Sequence, residues 1–119
     1  MKIAIISDVH DNWANLKKVL KYLKEEKIKT ILCLGDLSAP STLKMLMENF
    51  DGKVFYVFGN NEGDLYRTTK IGLGYKNLKF YGQELGEFKI DGKQIAITHW
   101  PKTANALAKS GDYDLVFFG

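Results

Sequence analysis

Residues 3–12 read IAIISDVHDN. Ile3 to Ile6 is an unbroken apolar run, which marks a strand covered on both faces rather than one. It passes without a gap into Ser7, Asp8, His10 and Asp11, and Asn12 is placed to cap a helix. From Trp13 to about Lys27, Leu16, Val19, Leu20 and Leu23 recur at helical spacing, while Lys17, Lys18, Lys21, Lys24 and Glu25 form a solvated opposite face. A strand that delivers polar residues straight into a helix is the opening unit of an α/β fold.

The pattern then repeats. Ile31 to Leu34 is a second buried run ending in Gly35-Asp36, and Leu43, Leu46, Met47 and Phe50 keep helical spacing behind it. Val54 to Phe58 is a third run, ending in Gly59-Asn60. This βαβαβ order predicts parallel strands with helices packed on the sheet. Next comes GNNEGDLYRTTKIGLGYK (59–76), glycine-punctuated and irregular, with room for a short helix near Leu65 to Lys70. In EFKIDGKQIAITH (87–99), Asp91-Gly92 between two apolar runs signals a two-residue hairpin. Thr103 to Lys109 reads as a short helix with Gly111 beyond its end, and Leu115 to Phe118 as a last strand. No repeat or linker interrupts residues 1–119, which read as a single domain.

Composition narrows the function. A net charge of +3 with no block of like charges excludes a dedicated nucleic-acid surface and suits a small anionic substrate. The single cysteine, Cys33, sits in an apolar run and reads as a small core residue without a disulfide partner. The first apolar run is too short for a signal peptide or membrane span, so a soluble, cytoplasmic protein is expected.

Ligands in open α/β sheets bind beyond the carboxyl ends of the strands. Those ends carry Asp8 and His10, then Asp36, then Asn60, and after the hairpin His99. Asp8 and His10 are two apart, so an extended segment would project both to one side. Both histidines of the chain and both Gly-Asp/Asn pairs sit at strand exits. Singly they read as turn or cap residues. Together they point to a metal site.

The ordered stretches SDVHDN (7–12), LGDL (34–37), FGNNE (58–62) and ITHW (97–100) resemble the calcineurin-like metallophosphoesterase superfamily, in particular its small single-domain prokaryotic phosphodiesterases. The resemblance implies a two-sheet α/β sandwich flanked by helices around two divalent metals. It implies that Asp8 and His10 hold the first metal, Asp36 bridges both, and Asn60 and His99 hold the second. Two cations about 3.5–4 Å apart clamp an in-line displacement at phosphorus while a metal-held hydroxide attacks. Oxygen and imidazole ligands favour manganese, with Fe, Ni, Co or Zn able to take its place. Asp11 and Glu62 are candidates for supporting the ligands; otherwise Asp11 caps the first helix and Glu62 is a solvated loop residue.

Two departures qualify the resemblance. Many relatives have a histidine after the metal-binding Asn, able to protonate a leaving group; here Asn61 stands there and cannot. That favours phosphodiesters or other small phosphorylated substrates with good leaving groups. Trp100 follows His99 in place of a common glycine, where it either packs or stacks on an aryl or nucleobase group. The family also carries a final Gly-His-x-His motif. GDYDLVFFG (111–119) has the form of its strand and opening glycine. A truncated sequence is therefore expected, with the two last ligands and the rest of the second sheet missing and strand edges that could drive homo-oligomerisation. A second reading is a non-catalytic binding scaffold on the same fold, although such a scaffold has no physical need for five retained ligand positions.

Overall fold

The computed structural model describes residues 1–119. Its elements in chain order are β1 (Ala4–Ile6), α1 (Trp13–Glu25), β2 (Thr30–Cys33), α2 (Pro40–Glu48), β3 (Lys53–Tyr56), α3 (Leu65–Gly72), β4 (Leu78–Phe80), β5 (Gly86–Ile90), β6 (Lys93–Thr98), α4 (Pro101–Ser110) and β7 (Leu115–Phe118). Strands β1 to β4 form one parallel sheet in sequence order. A second sheet has the order β5-β6-β7, antiparallel at β5–β6 and parallel at β6–β7.

Alternation along β2 and β3 builds the layers. Ile31, Cys33, Val54 and Tyr56 pack with Leu16, Leu20, Leu43 and Leu46 of the helices. Leu32, Leu34, Phe55 and Val57 pack the other way, against Ile95 and Ile97 of the second sheet. Both faces of β2 and β3 are thus covered, which is why they read as continuous apolar runs. The edge strand β1 leaves Ile5 44% exposed, so the cover on both faces expected of Ile3 to Ile6 is not met. Phe55 stacks on Phe88 between the sheets, with centroids 4.0 Å apart, and α4 covers the second sheet from outside through contacts with β6 and β7. The architecture is the expected two-sheet sandwich flanked by helices. No helix is long and apolar enough to cross a membrane.

The punctuation residues behave as their chemistry dictates. Asn12 caps α1 by accepting from the Asn15 N–H at 3.1 Å. Asp91 and Gly92 both take positive φ, 50° and 75°, as a two-residue turn between right-twisted strands requires. Gly111, at φ 78°, closes α4 in the left-handed conformation.

Several boundaries differ from the sequence reading: β3 ends at Tyr56 and α4 already begins at Pro101. Helix α1 stops at Glu25, because the chain turns through Lys27 at φ 56°. Helix α2 stops at Glu48, and Phe50 is buried just beyond it. The irregular stretch after Asn60 contains a longer helix, α3, and is followed by β4, which sequence patterning missed. Strand β4 has only three residues, too few for a periodicity. It is held by its neighbour: Val54 pairs with Leu78 and Tyr56 with Phe80.

Candidate metal centre

The helices between parallel strands begin at the carboxyl edge of the sheet, so the loops preceding α1, α2 and α3 meet there. The loop after β1 is fastened to the loop after β2 by three backbone bonds. The N–H groups of Asp8, His10 and Asp11 donate to the carbonyls of Gly35, Asp36 and Leu37 at 3.0, 3.0 and 3.1 Å. Asp8, His10 and Asp11 have φ of 56°, 46° and 58°, and Asp36 and Ser38 have 60° and 81°. The expected extended geometry for Asp8–His10 is therefore wrong. Their side chains converge because both residues take the left-handed conformation, not because strand alternation aligns them. Such backbone outside glycine persists only where surrounding bonds enforce it, and it gathers at functional sites.

Asp36 lies at the centre. It is 2% exposed, and its Oδ1 accepts from the Asn61 N–H at 2.8 Å. Its Oδ2 lies 3.4 Å from His10 Nε2 and 3.6 Å from His99 Nε2. On the open side, His10 Nε2 is also 3.4 Å from Asp8 Oδ1. On the buried side, His99 Nε2 is 2.8 Å from Asn60 Oδ1. One oxygen each from Asp8 and Asp36 and a ring nitrogen of His99 lie within 4.8 Å of one another. His10 and His99 thus flank the Asp36 carboxylate, Asp8 lies beside it, and Asn60 joins the group through His99.

Their surroundings prepare them. Burial pushes the Asp8 carboxyl up, but the Ser7 hydroxyl and the His10 imidazole outweigh it and hold the group below the usual carboxylate range. His99 Nδ1 donates to the Leu34 carbonyl at 2.7 Å, which leaves Nε2 as a lone pair facing the site. Asn60 Oδ1 lies 2.8 Å from that nitrogen, close enough for the two to share a cation. The donor set of carboxylate, amide oxygen and imidazole suits a divalent cation of that kind. Cys33 contributes nothing: it faces the helical layer, fully buried, and burial drives its thiol well above the ordinary range.

Residues 1–119 match the calcineurin-like phosphoesterase superfamily domain over their whole length. The chain belongs to that superfamily. This phosphoesterase is 30% identical over 121 residues to a phosphodiesterase of Methanocaldococcus jannaschii, a match covering 100% of the chain and 72% of that protein. The solved structure of a novel archaeal phosphodiesterase superposes with a TM-score of 0.89 at 27% identity, covering 100% of this chain and 72% of that one. YfcE, a phosphoesterase from E. coli, shares the fold at a TM-score of 0.64 and 17% identity, over 86% of this chain and 59% of its own. The chain is thus a hydrolase of the small single-domain prokaryotic branch.

The supporting residues of the phosphoesterase differ from what their neighbours in sequence suggest. Asp11 caps α2, not α1: its Oδ1 accepts from the Ala39 N–H at 2.8 Å and the Thr42 hydroxyl at 2.5 Å. Glu62 is no solvated loop residue. Its Oε1 accepts from the backbone N–H groups of Asp36 at 2.6 Å and Gly59 at 3.1 Å. Asn61 places its amide nitrogen 3.3 Å from His10 Nδ1. Trp100 packs edge-on to His99 at 5.3 Å and donates its indole N–H to the Gln83 carbonyl at 3.0 Å, while 38% of its surface stays exposed. Sequence reasoning missed Ser7, whose hydroxyl donates to Asp8, and Thr42, which links Asp11 to the Trp13 indole. For Ser7 the only signal was adjacency to Asp8; for Thr42 there was none.

Two glycines let these loops close. A Cβ on Gly35, at φ 101°, would stand 2.6 Å from Gly59 N and 2.8 Å from His99 Nδ1. A Cβ on Gly59 would stand 2.0 Å from Asp36 Oδ1 and 2.9 Å from Asp36 N. Gly59→Ala is therefore expected to lower stability by about 2–3 kcal/mol, since a buried carboxylate and its backbone must both shift. Urea denaturation monitored by circular dichroism measures the loss, and a change under about 0.5 kcal/mol would contradict the close packing.

Proposed function

We propose that this phosphoesterase is a phosphodiesterase that works with two divalent cations. Asp8 and His10 would hold one, Asn60 and His99 the other, and Asp36 would contribute to both. The observation that carries this reading is the position of Asp36 Oδ2, within 3.6 Å of an imidazole on either side. When bound, the cations would supply Lewis-acid activation of water and neutralise charge developing on phosphorus. The family and the relative named a phosphodiesterase support the substrate class.

The rest falls to the protein. Asp36 and His99 are buried and fixed, whereas the side chains of Asp8 and His10 are nearly half exposed, so substrate approaches from their side. Asn61 orients His10 through Nδ1 but has no proton to give a departing alkoxide. No other proton donor replaces it beside His10, which favours diesters whose leaving group departs as a stable anion. Manganese is the preferred metal in this proposal, since imidazole and hard oxygen ligands occur together without thiolate. A cytoplasmic setting belongs to the same proposal and rests on a lone buried thiol. The scaffold alternative gains no support from a site whose five donors are all oriented.

The test is to strip the purified chain of metal, reload it with Mn²⁺ and follow bis(p-nitrophenyl) phosphate. Expected results are metal-dependent release of nitrophenolate and calorimetric binding of Mn²⁺ at two sites. The absence of both turnover and Mn²⁺ binding would overturn the proposal.

A further inference from the structure

Residues 11–13 follow His10 directly and carry the chain into α1. The side chains of Asp11 and Trp13 both end on one hydroxyl of α2, that of the fully buried Thr42. Thr42 Oγ1 donates to Asp11 Oδ1 at 2.5 Å and accepts from the Trp13 indole N–H at 2.8 Å. The helix has no use of its own for this hydroxyl. Thr42 bonds back through its N–H to the Ala39 carbonyl at 2.9 Å, and the cap of α2 is the bond from the Ala39 N–H to Asp11. Both bonds of the hydroxyl leave α2 and cross to the segment after His10, 31 and 29 residues earlier in the chain.

That segment needs holding. His10 and Asp11 have φ of 46° and 58°, a conformation that residues other than glycine keep only where bonds enforce it. On one side the enforcing bonds run from their N–H groups to the Asp36 and Leu37 carbonyls, at 3.0 and 3.1 Å. On the other they run through Asp11 and Trp13 to Thr42. The His10 ring itself is loosely held: it lies 3.3 Å from Asn61 and 3.4 Å from Asp8 and Asp36. Contacts that long orient a ring weakly, so its position follows its backbone. His99 differs, because the 2.7 Å bond from Nδ1 to the Leu34 carbonyl fixes its ring directly.

We propose that Thr42 is a positioning residue for His10: its hydroxyl, through Asp11 and Trp13, holds the loop that presents the open-side imidazole. The proposal deepens the two-cation reading and rests on it for what His10 binds. His99 has no share in this device, so the effect falls on one side of the centre.

Thr42→Val keeps the buried shape and removes the hydroxyl, whereas Thr42→Ser keeps the hydroxyl. Hydrogen exchange of the metal-free protein, followed by NMR, reads the loop without turnover. In Thr42→Val the His10 and Asp11 amides are expected to exchange about tenfold faster, and Thr42→Ser restores slow exchange at both. If Thr42 served the core alone, the amides of Leu32 and Phe55 would speed up and those of His10 and Asp11 would not, which overturns the proposal. In calorimetry with Mn²⁺, Thr42→Val is expected to weaken, about tenfold, the same binding event that His10→Asn weakens, and to spare the other. Equal loss at both events, or loss at neither, overturns it too. Should Thr42→Val not fold, Trp13→Phe removes one of the two anchors at a residue that is 40% exposed. Unchanged exchange at His10 and Asp11 in that variant overturns the proposal. If the unaltered chain binds no Mn²⁺, the two-cation reading fails, and the exchange rates still decide whether Thr42 holds the His10 loop.

Discussion

Replacing Asp36 by asparagine is expected to cut metal-dependent phosphodiester hydrolysis about a thousandfold or more, at the upper end of what losing one preorganised electrostatic group costs. The substitution is nearly isosteric, so the bond from the Asn61 N–H keeps an oxygen acceptor and the loop keeps its shape. What is lost is the charge on the oxygen lying between His10 and His99. Because that oxygen faces both sides, both Mn²⁺ binding events should weaken together in a calorimetric titration. His10→Asn, which alters the open side alone, should weaken one event and spare the other. If Asp36→Asn left one site at full affinity, Asp36 would not be shared, and the two-cation proposal would need a different centre.

The fold was largely legible because its core strands are covered on both faces, and Ile31 to Leu34 and Val54 to Phe58 advertise this as unbroken apolar runs. The hairpin was legible for a different reason: few dipeptides other than Asp91-Gly92 accept positive φ twice in succession. Strand β4 was illegible because Leu78, Lys79 and Phe80 are too few to show a period, and their pairing with β3 is a tertiary fact. The five candidate ligands could be found because each follows an apolar run and the chain has only two histidines. Why Asp8 and His10 converge could not be found, since left-handed backbone at both is imposed by bonds to residues 35–37. Asp11 shows the same limit. A carboxylate one residue before the Asn12 cap looks local, yet it caps the helix beginning at Pro40, because the fold lays the two loops side by side.

Glu62 carries the second large effect. Its carboxylate gathers the N–H groups of Asp36 and Gly59, the residues from which the two inner loops turn into the site. Glu62→Ala strands both donors in a part-buried position, and each costs roughly 1–3 kcal/mol unless water reaches it. A stability loss of about 2–4 kcal/mol is therefore expected. Activity should fall a further 10- to 100-fold or so among the molecules that remain folded, as when a group that orients a ligand is removed. Glu62→Gln discriminates the causes. Its amide oxygen can still accept from both N–H groups, so most of the stability should return in a urea titration. If positioning of Asp36 is what Glu62 provides, kcat and Mn²⁺ affinity should return with it. Recovery of stability without activity would instead assign the effect to the negative charge itself, acting beneath Asp36 on the cations the site is proposed to hold.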